Sequence, residues 1–134
     1  MKQLTVYIDG ASQGNPGPSG IGVLIYGQGN QLIKKIQKHI GPATNNIAEY
    51  KALIAGLTEA LLLHASQITV YTDSELIANQ MNGKYKVKNA NLQVCYQEAT
   101  HLLSGFKKVI IEHIPRSKNT SADVLAFNAS QLKQ

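Results

Sequence analysis

"QLTVYIDGASQGNPGPSG", residues 3–20, decides how this chain folds. Its first seven residues alternate Leu4, Val6 and Ile8 against Thr5, Tyr7 and Asp9, the period of a strand with one buried face. That strand closes on a carboxylate, and the small residues after Asp9 read as a turn. Residues 20–27, GIGVLIYG, form a second strand and residues 30–40, NQLIKKIQKHI, a third. Gly27-Gln28-Gly29-Asn30 joins the two as a hairpin turn does. Lys34, Lys35 and Lys38 suit the third strand to a charged sheet edge.

After Gly41-Pro42 the period changes. Ile47, Tyr50, Ile54, Leu57 and Leu61 recur at three- and four-residue spacing, which predicts an amphipathic helix over 45–64, capped by Asn45 or Asn46. Residues 67–73, QITVYTD, return to strand. A short helix follows over 74–83, a polar basic segment over 84–89, and a helix over 91–104. A strand at 107–114 and a last helix at 120–132 complete the order β-β-β-α-β-α-α-β-α. Three antiparallel strands, then strands separated by helices, call for an α/β fold: a mixed sheet with helices packed on its faces. Strands one, four and five run parallel through right-handed crossovers. The 134 residues carry no internal repeat or linker and read as a single domain, 1–134.

An apolar fraction of 43% is ordinary for a globular protein, and no run is long and apolar enough to span a bilayer. The first residues open a strand without a signal-peptide pattern. The one cysteine, Cys95, lies in an apolar-periodic stretch and reads as a reduced core residue of a cytoplasmic protein. The triplets Asn119-Thr120-Ser121 and Asn128-Ala129-Ser130 are then chance glycosylation matches. A formal charge of +5 and a pI near 9.4 favour a polyanionic partner.

Against that basic background the eight acids are Asp9, Glu49, Glu59, Asp73, Glu75, Glu98, Glu112 and Asp123. Asp9 and Asp73 end two strands expected to be parallel neighbours, so both emerge at one end of the sheet, where ligands bind open α/β sheets. Glu49 lies near the start of the long helix beside its buried stripe. Asp123 lies in the first turn of the last helix, where the helix dipole favours a negative charge. Each alone is equally a turn, cap or dipole residue, and Asp73 before Ser74 reads as a helix cap. Together, four packed carboxylates repel one another and raise their pKa values, which hard divalent cations relieve. Oxygen-only donors point to Mg²⁺ or Mn²⁺, and two such ions roughly 4 Å apart suit phosphodiester hydrolysis.

The stretches YIDGASQGNPGPSGIGV, TNNIAEYKALIAGL, VYTDSELIANQMNG, YKVKN and IPRSKNTSADVLAFNA, in this order and over nearly the whole chain, resemble ribonuclease H of type 1. The resemblance implies a ribonuclease H-like fold with strand order 3-2-1-4-5. It implies endonucleolytic cleavage of the RNA strand of an RNA–DNA hybrid, leaving 3′-hydroxyl and 5′-phosphate ends. The family's acidic quartet falls on Asp9, Glu49, Asp73 and Asp123, which would hold two Mg²⁺ or Mn²⁺ ions.

The same resemblance places Asn15, Asn45 and Asn46, with the Gly10 backbone, at or near the hybrid's 2′-hydroxyls, which amides can both donate to and accept from. The small residues after Asp9 would admit a nucleic-acid backbone. Thr44 and Asn89 match the family's pocket for a DNA phosphate. Lys84, Lys86 and Lys88 alternate with Tyr85 and Val87, which turns them to one side if the segment is extended, for phosphate contact. Members with a longer loop carry a histidine before the last aspartate. Here the loop is shorter: His113 reads as a packed strand residue, and Arg116, seven residues before Asp123, stands ready for a phosphate. Arginine does not transfer protons near neutral pH. Asn119 matches the family's asparagine of this loop at the substrate, with helix capping as its other reading. His39, His64 and His101 lack ligand spacing and read as surface residues. The expected partner is an RNA–DNA hybrid, bound by a monomer without an obligate protein partner. The rival readings are a hybrid-binding module with weak catalysis and another nuclease of the same superfamily.

Overall fold

The computed structural model describes residues 2–131. Five strands, β1 (Gln3–Ser12), β2 (Gly17–Tyr26), β3 (Leu32–Ala43), β4 (Gln67–Thr72) and β5 (Lys108–His113), form one sheet in the order β3-β2-β1-β4-β5. The first three pair antiparallel, and β4 lies parallel to both β1 and β5. The helices are α1 (Asn45–Leu62), α2 (Glu75–Met81), α3 (Ala90–Leu103) and α4 (Thr120–Ser130). None is long and apolar enough to cross a membrane.

The alternation in β1 does what the sequence predicts. Leu4, Val6 and Ile8 are buried with Val23, Ile25 and Val70 against Tyr50, Leu53 and Leu57 of α1. The other face carries Tyr7, Leu24 and Tyr26, which α4 covers with Ala122 and Leu125. Helices therefore close both faces of the sheet. Cys95 is buried in the α1-side core, as expected. The edge strand β3 exposes Lys34, Lys35 and Lys38, and Lys34 pairs with Glu59 of α1 at 3.5 Å.

Several boundaries differ from the sequence reading. The small residues after Asp9 are largely strand. Ala11 and Ser12 pair with Gly20 and Ser19, and the turn shrinks to residues 13–16. Glycine and serine have poor strand propensity, but ladder pairing overrides it. Gly41-Pro42 does not end β3, which continues to Ala43 with Pro42 opposite Pro18 and a register shift beside Gly20. An edge strand tolerates proline because its outer side needs no N–H. The β2–β3 connection is a short 3₁₀ turn, with Gly29 and Asn30 at φ 70° and 57°. The last helix ends at Ser130 with Gln131 as its C-cap, short of the expected 132, and residue 132 lies outside the described residues. His113 ends β5 but is exposed rather than packed. His39 is half-buried, with Nδ1 2.9 Å from the Ala129 carbonyl oxygen.

Helix α4 lies so close to β2 that a Cβ on Gly22 would stand 2.4 Å from the Ala122 carbonyl oxygen and 2.7 Å from Leu125 Cβ. Substituting Gly22→Ala must lift α4 from the sheet. Overpacking of this kind costs about 1–3 kcal/mol. Urea unfolding of G22A should show a loss of that size, with an unchanged m-value if the fold survives.

Candidate active site

Parallel pairing of β1 with β4 brings their C-terminal ends side by side, with Ile8 opposite Thr72. The next residues are Asp9 and Asp73, which are thereby neighbours. Asp73 is not a cap: Ser74 caps α2, its Oγ accepting from the Ile77 N–H at 3.2 Å. That leaves the Asp73 carboxylate for the site. Glu49, one turn into α1, reaches the same point. Asp9, Glu49 and Asp73 each offer a carboxylate oxygen within 4.8 Å of the others. Asp9 is 4% exposed, and Glu49 and Asp73 are half-buried.

Glycine lets α1 approach. A Cβ on Gly10 would stand 2.3 Å from the Ala48 carbonyl carbon and 2.5 Å from the Glu49 nitrogen. The space left by the missing side chain is therefore filled by the helix backbone, where the sequence reading reserved it for nucleic acid. The Gly10 N–H then donates to Glu49 Oε1 at 2.7 Å and aims that side chain at Asp9.

Asp123, in the first turn of α4, comes within hydrogen-bonding reach of Asp9 but stands outside the close trio. Arg116 holds it, Nη2 lying 3.1 Å from Oδ1 and 3.4 Å from Oδ2. Asn119 is buried at 2% exposure, although the sequence reading put it at the substrate or in a cap. Its side chain makes no capping bond and instead donates to the Ile8 carbonyl and to Asp73.

The remaining residues singled out in the sequence gather a short way off. Neither Asn45 nor Asn46 caps α1. Thr44 does, its Oγ1 accepting from the Ile47 N–H at 3.2 Å. Asn89 caps α3 in the same way through Oδ1 and the Leu92 N–H. Both helix starts face one cavity of about 200 Å³ lined by Asn15, Thr44, Asn46, Ile47, Asn89 and Asn91, among others. Two helix N-termini converging on one opening form a ready anion site. Asn15 Oδ1 accepts from the Asn45 N–H at 2.9 Å, tying the glycine turn to the start of α1. The 84–89 segment is irregular, and Lys84, Lys86 and Lys88 are all exposed. Lys86 lines a separate groove with Tyr85 and Tyr96.

Burial and mutual repulsion dominate the electrostatics of the acid cluster. Burial, then the charges of Glu49 and Asp73, push the Asp9 carboxyl up to about 10. Burial and the Asp73 charge push Glu49 up to about 8, against the opposing Gly10 hydrogen bond. Three oxygens converging without nitrogen or sulfur donors suit a hard divalent cation.

A family profile described as "Reverse transcriptase-like" matches residues 7–129. Ribonuclease HI of Halobacterium salinarum is 42% identical over 128 residues, covering 95% of this chain and 64% of that protein. The chain belongs to the ribonuclease H family. The crystal structure of the Halobacterium ribonuclease H1 superposes with a TM-score of 0.92, covering 95% of this chain and 96% of that one. The N-terminal ribonuclease H domain of a Mycobacterium tuberculosis protein, solved as a fusion with maltose binding protein, superposes with a TM-score of 0.93. It is 41% identical, with 96% of this chain and 99% of that chain covered. This chain spans about a third, 35%, of the length of the full mycobacterial protein, which is named bifunctional. A ribonuclease H1 isolated from compost, solved with an RNA/DNA hybrid bound, is 39% identical with a TM-score of 0.87, over 94% of this chain and 95% of its own.

The raised pKa values fix a sign. The folded chain retains protons on Asp9 and Glu49 that the unfolded chain loses near pH 4. Their contribution to stability therefore falls as pH rises from about 4 through about 8 for Glu49 and on to about 10 for Asp9. In EDTA, Asp9→Asn should melt at least about 3 °C above the parent at pH 8 and near the parent at pH 4, by calorimetry. Equal melting points at pH 8 would show that the repulsion is absent.

Proposed function

We propose that this chain is a metal-dependent endoribonuclease that hydrolyses the RNA strand of RNA–DNA hybrids, leaving 3′-hydroxyl and 5′-phosphate ends. The observation that carries the reading is the convergence of Asp9, Glu49 and Asp73 to within 4.8 Å in a chain of net charge +5. A binding module has no use for buried acids that repel the phosphates it must attract. Family membership and the hybrid bound to the compost ribonuclease H1 support the substrate class.

In this reading Asp9 and Asp73 would hold two Mg²⁺ or Mn²⁺ ions, with Glu49 and Asp123 each completing one of the two sites. When bound, the ions supply activation of the attacking water and stabilisation of the leaving oxygen. Gly10 keeps Glu49 aimed through its N–H. Arg116, freed from Asp123, offers its guanidinium to a phosphate oxygen. Asn15, Asn45 and Asn46 face the minor groove, where side-chain amides distinguish a 2′-hydroxyl from hydrogen. The cavity between the starts of α1 and α3 takes a phosphate of the DNA strand, with Thr44, Asn89 and the two helix dipoles as its lining. Lys86 and Lys88 add exposed positive charge beyond it.

The reading is tested on a hybrid with both ends blocked, alongside matched duplex RNA and duplex DNA. The parent should cut the RNA strand internally in Mg²⁺ or Mn²⁺ and stop in excess EDTA. Asp9→Asn should lose at least ~1,000-fold in rate while still folding and binding the hybrid. Cutting that survives EDTA, or parental cutting by Asp9→Asn, overturns the assignment.

The phosphate contact is read separately, by hybrid binding to the Asp9→Asn chain across a salt series. Adding Lys88→Ala should lower the slope of log K against log salt by about 1, without changing preference among hybrid sequences.

A further inference from the structure

Asn119 immediately precedes α4, at the position where an asparagine side chain ordinarily caps a helix. Here it makes no capping bond, and its backbone sits at φ −121°, ψ 26°, outside the extended region that capping residues adopt. The side-chain amide crosses to the sheet instead. Its Nδ2 donates to the Ile8 carbonyl oxygen at 2.9 Å and to Asp73 Oδ2 at 3.2 Å. The residue is 2% exposed, and its Oδ1 has no hydrogen-bond partner among the described residues. A group buried with an idle acceptor and a forgone cap is a poor choice for fastening a helix to a sheet, because an apolar residue would avoid both costs.

We propose that Asn119 is a positioning residue that sets three of the four carboxylates relative to one another. Ile8 precedes Asp9, and the β1–β4 ladder ends where Ile8 faces Thr72. The bond to the Ile8 carbonyl thus holds the strand end from which Asp9 projects. The bond to Asp73 Oδ2 orients that carboxylate, which offers an oxygen within 4.8 Å of those of Asp9 and Glu49. The Asn119 carbonyl accepts from the Asp123 N–H at 3.0 Å, so the turn that carries Asp123 springs from the same residue. An amide is suited to this work because it is neutral: it orients an anion without cancelling its charge. Arg116 on Asp123, by contrast, competes with any cation for the same oxygens. Asn119 therefore serves the affinity of the acids for divalent ions, and the proposal rests on the metal-dependent reading above.

The test is Mn²⁺ binding by calorimetry to the intact, substrate-free chain, with thermal unfolding recorded on each variant. Asn119→Ala should bind Mn²⁺ about 10-fold or more weakly, with kcat lowered and the KM for hybrid changed less than about threefold. Leu125→Ala, which loosens the same helix without touching the amide, should lose thermal stability and keep parental Mn²⁺ affinity. A purely structural Asn119 would reverse this pattern. Parental affinity in N119A, or an equal loss in L125A, overturns the proposal. Should N119A not fold, the parent still decides by NMR. Titration with Mg²⁺ should shift the Asn119 side-chain NH₂ signals with the midpoint of metal binding, and unmoved signals overturn the assignment. A parent chain that binds neither ion removes the metal-dependent reading itself, whereas tight parental binding matched by N119A removes this proposal alone.

Discussion

Everything in this structure answers to one unfavourable interaction, the mutual repulsion of carboxylates held together at the ends of β1 and β4. Three of their oxygens lie within 4.8 Å of one another, and Asp9 is almost wholly buried. Charges that close in a poorly solvated site oppose folding unless something compensates. The apolar layer of β1, β2 and β4 against α1 supplies the rigidity that keeps them together. The raised pKa values of Asp9 and Glu49 record what that rigidity sustains.

Each of the three outer acids is steered by a donor of a different kind. Glu49 takes a backbone N–H from Gly10, Asp73 an amide from Asn119, and Asp123 a guanidinium from Arg116. The donors grade from neutral to fully charged, and the grading follows position. Glu49 and Asp73, within the trio, are oriented without being neutralised, while Asp123, which reaches Asp9 from outside the trio, is held by a full positive charge. A site built to receive cations needs this arrangement, because a fixed positive side chain among the inner acids would occupy the place the cations must take.

Much of this was legible in the chain. Period-two alternation in residues 3–9 and 67–73 marks the central strands, and the aspartates that follow them mark two of the three acids that cluster in the structure. The strand order and the helices on both faces followed from the element sequence and its resemblance. What escaped was whatever depended on third parties. Thr44 caps α1 in place of Asn45 or Asn46, because the Asn45 backbone is engaged by Asn15, thirty residues earlier. Gly10 looked like space for a ligand because nothing local shows that α1 will fill it. Asn119 carried a strong local capping signal, and its true partner, Ile8, lies 111 residues away. Local pattern reports propensity, and a long-range hydrogen bond overrules propensity without leaving a local trace.

Helix α4 carries Asp123, follows directly on Asn119, and exposes Val124 and Phe127 on its outer face. Local opening free energies within a protein range from near zero at its margins to the full value in its core. Helix α4 is no such margin: it packs against β2 where Gly20 and Gly22 leave no room for a Cβ. The placement of Asp123 and Asn119 is thus tied to the packing of α4 on the sheet. Loosening that helix would move one acid and the amide that steers another, so the heat resistance of the acid cluster cannot exceed that of the contact between α4 and the sheet.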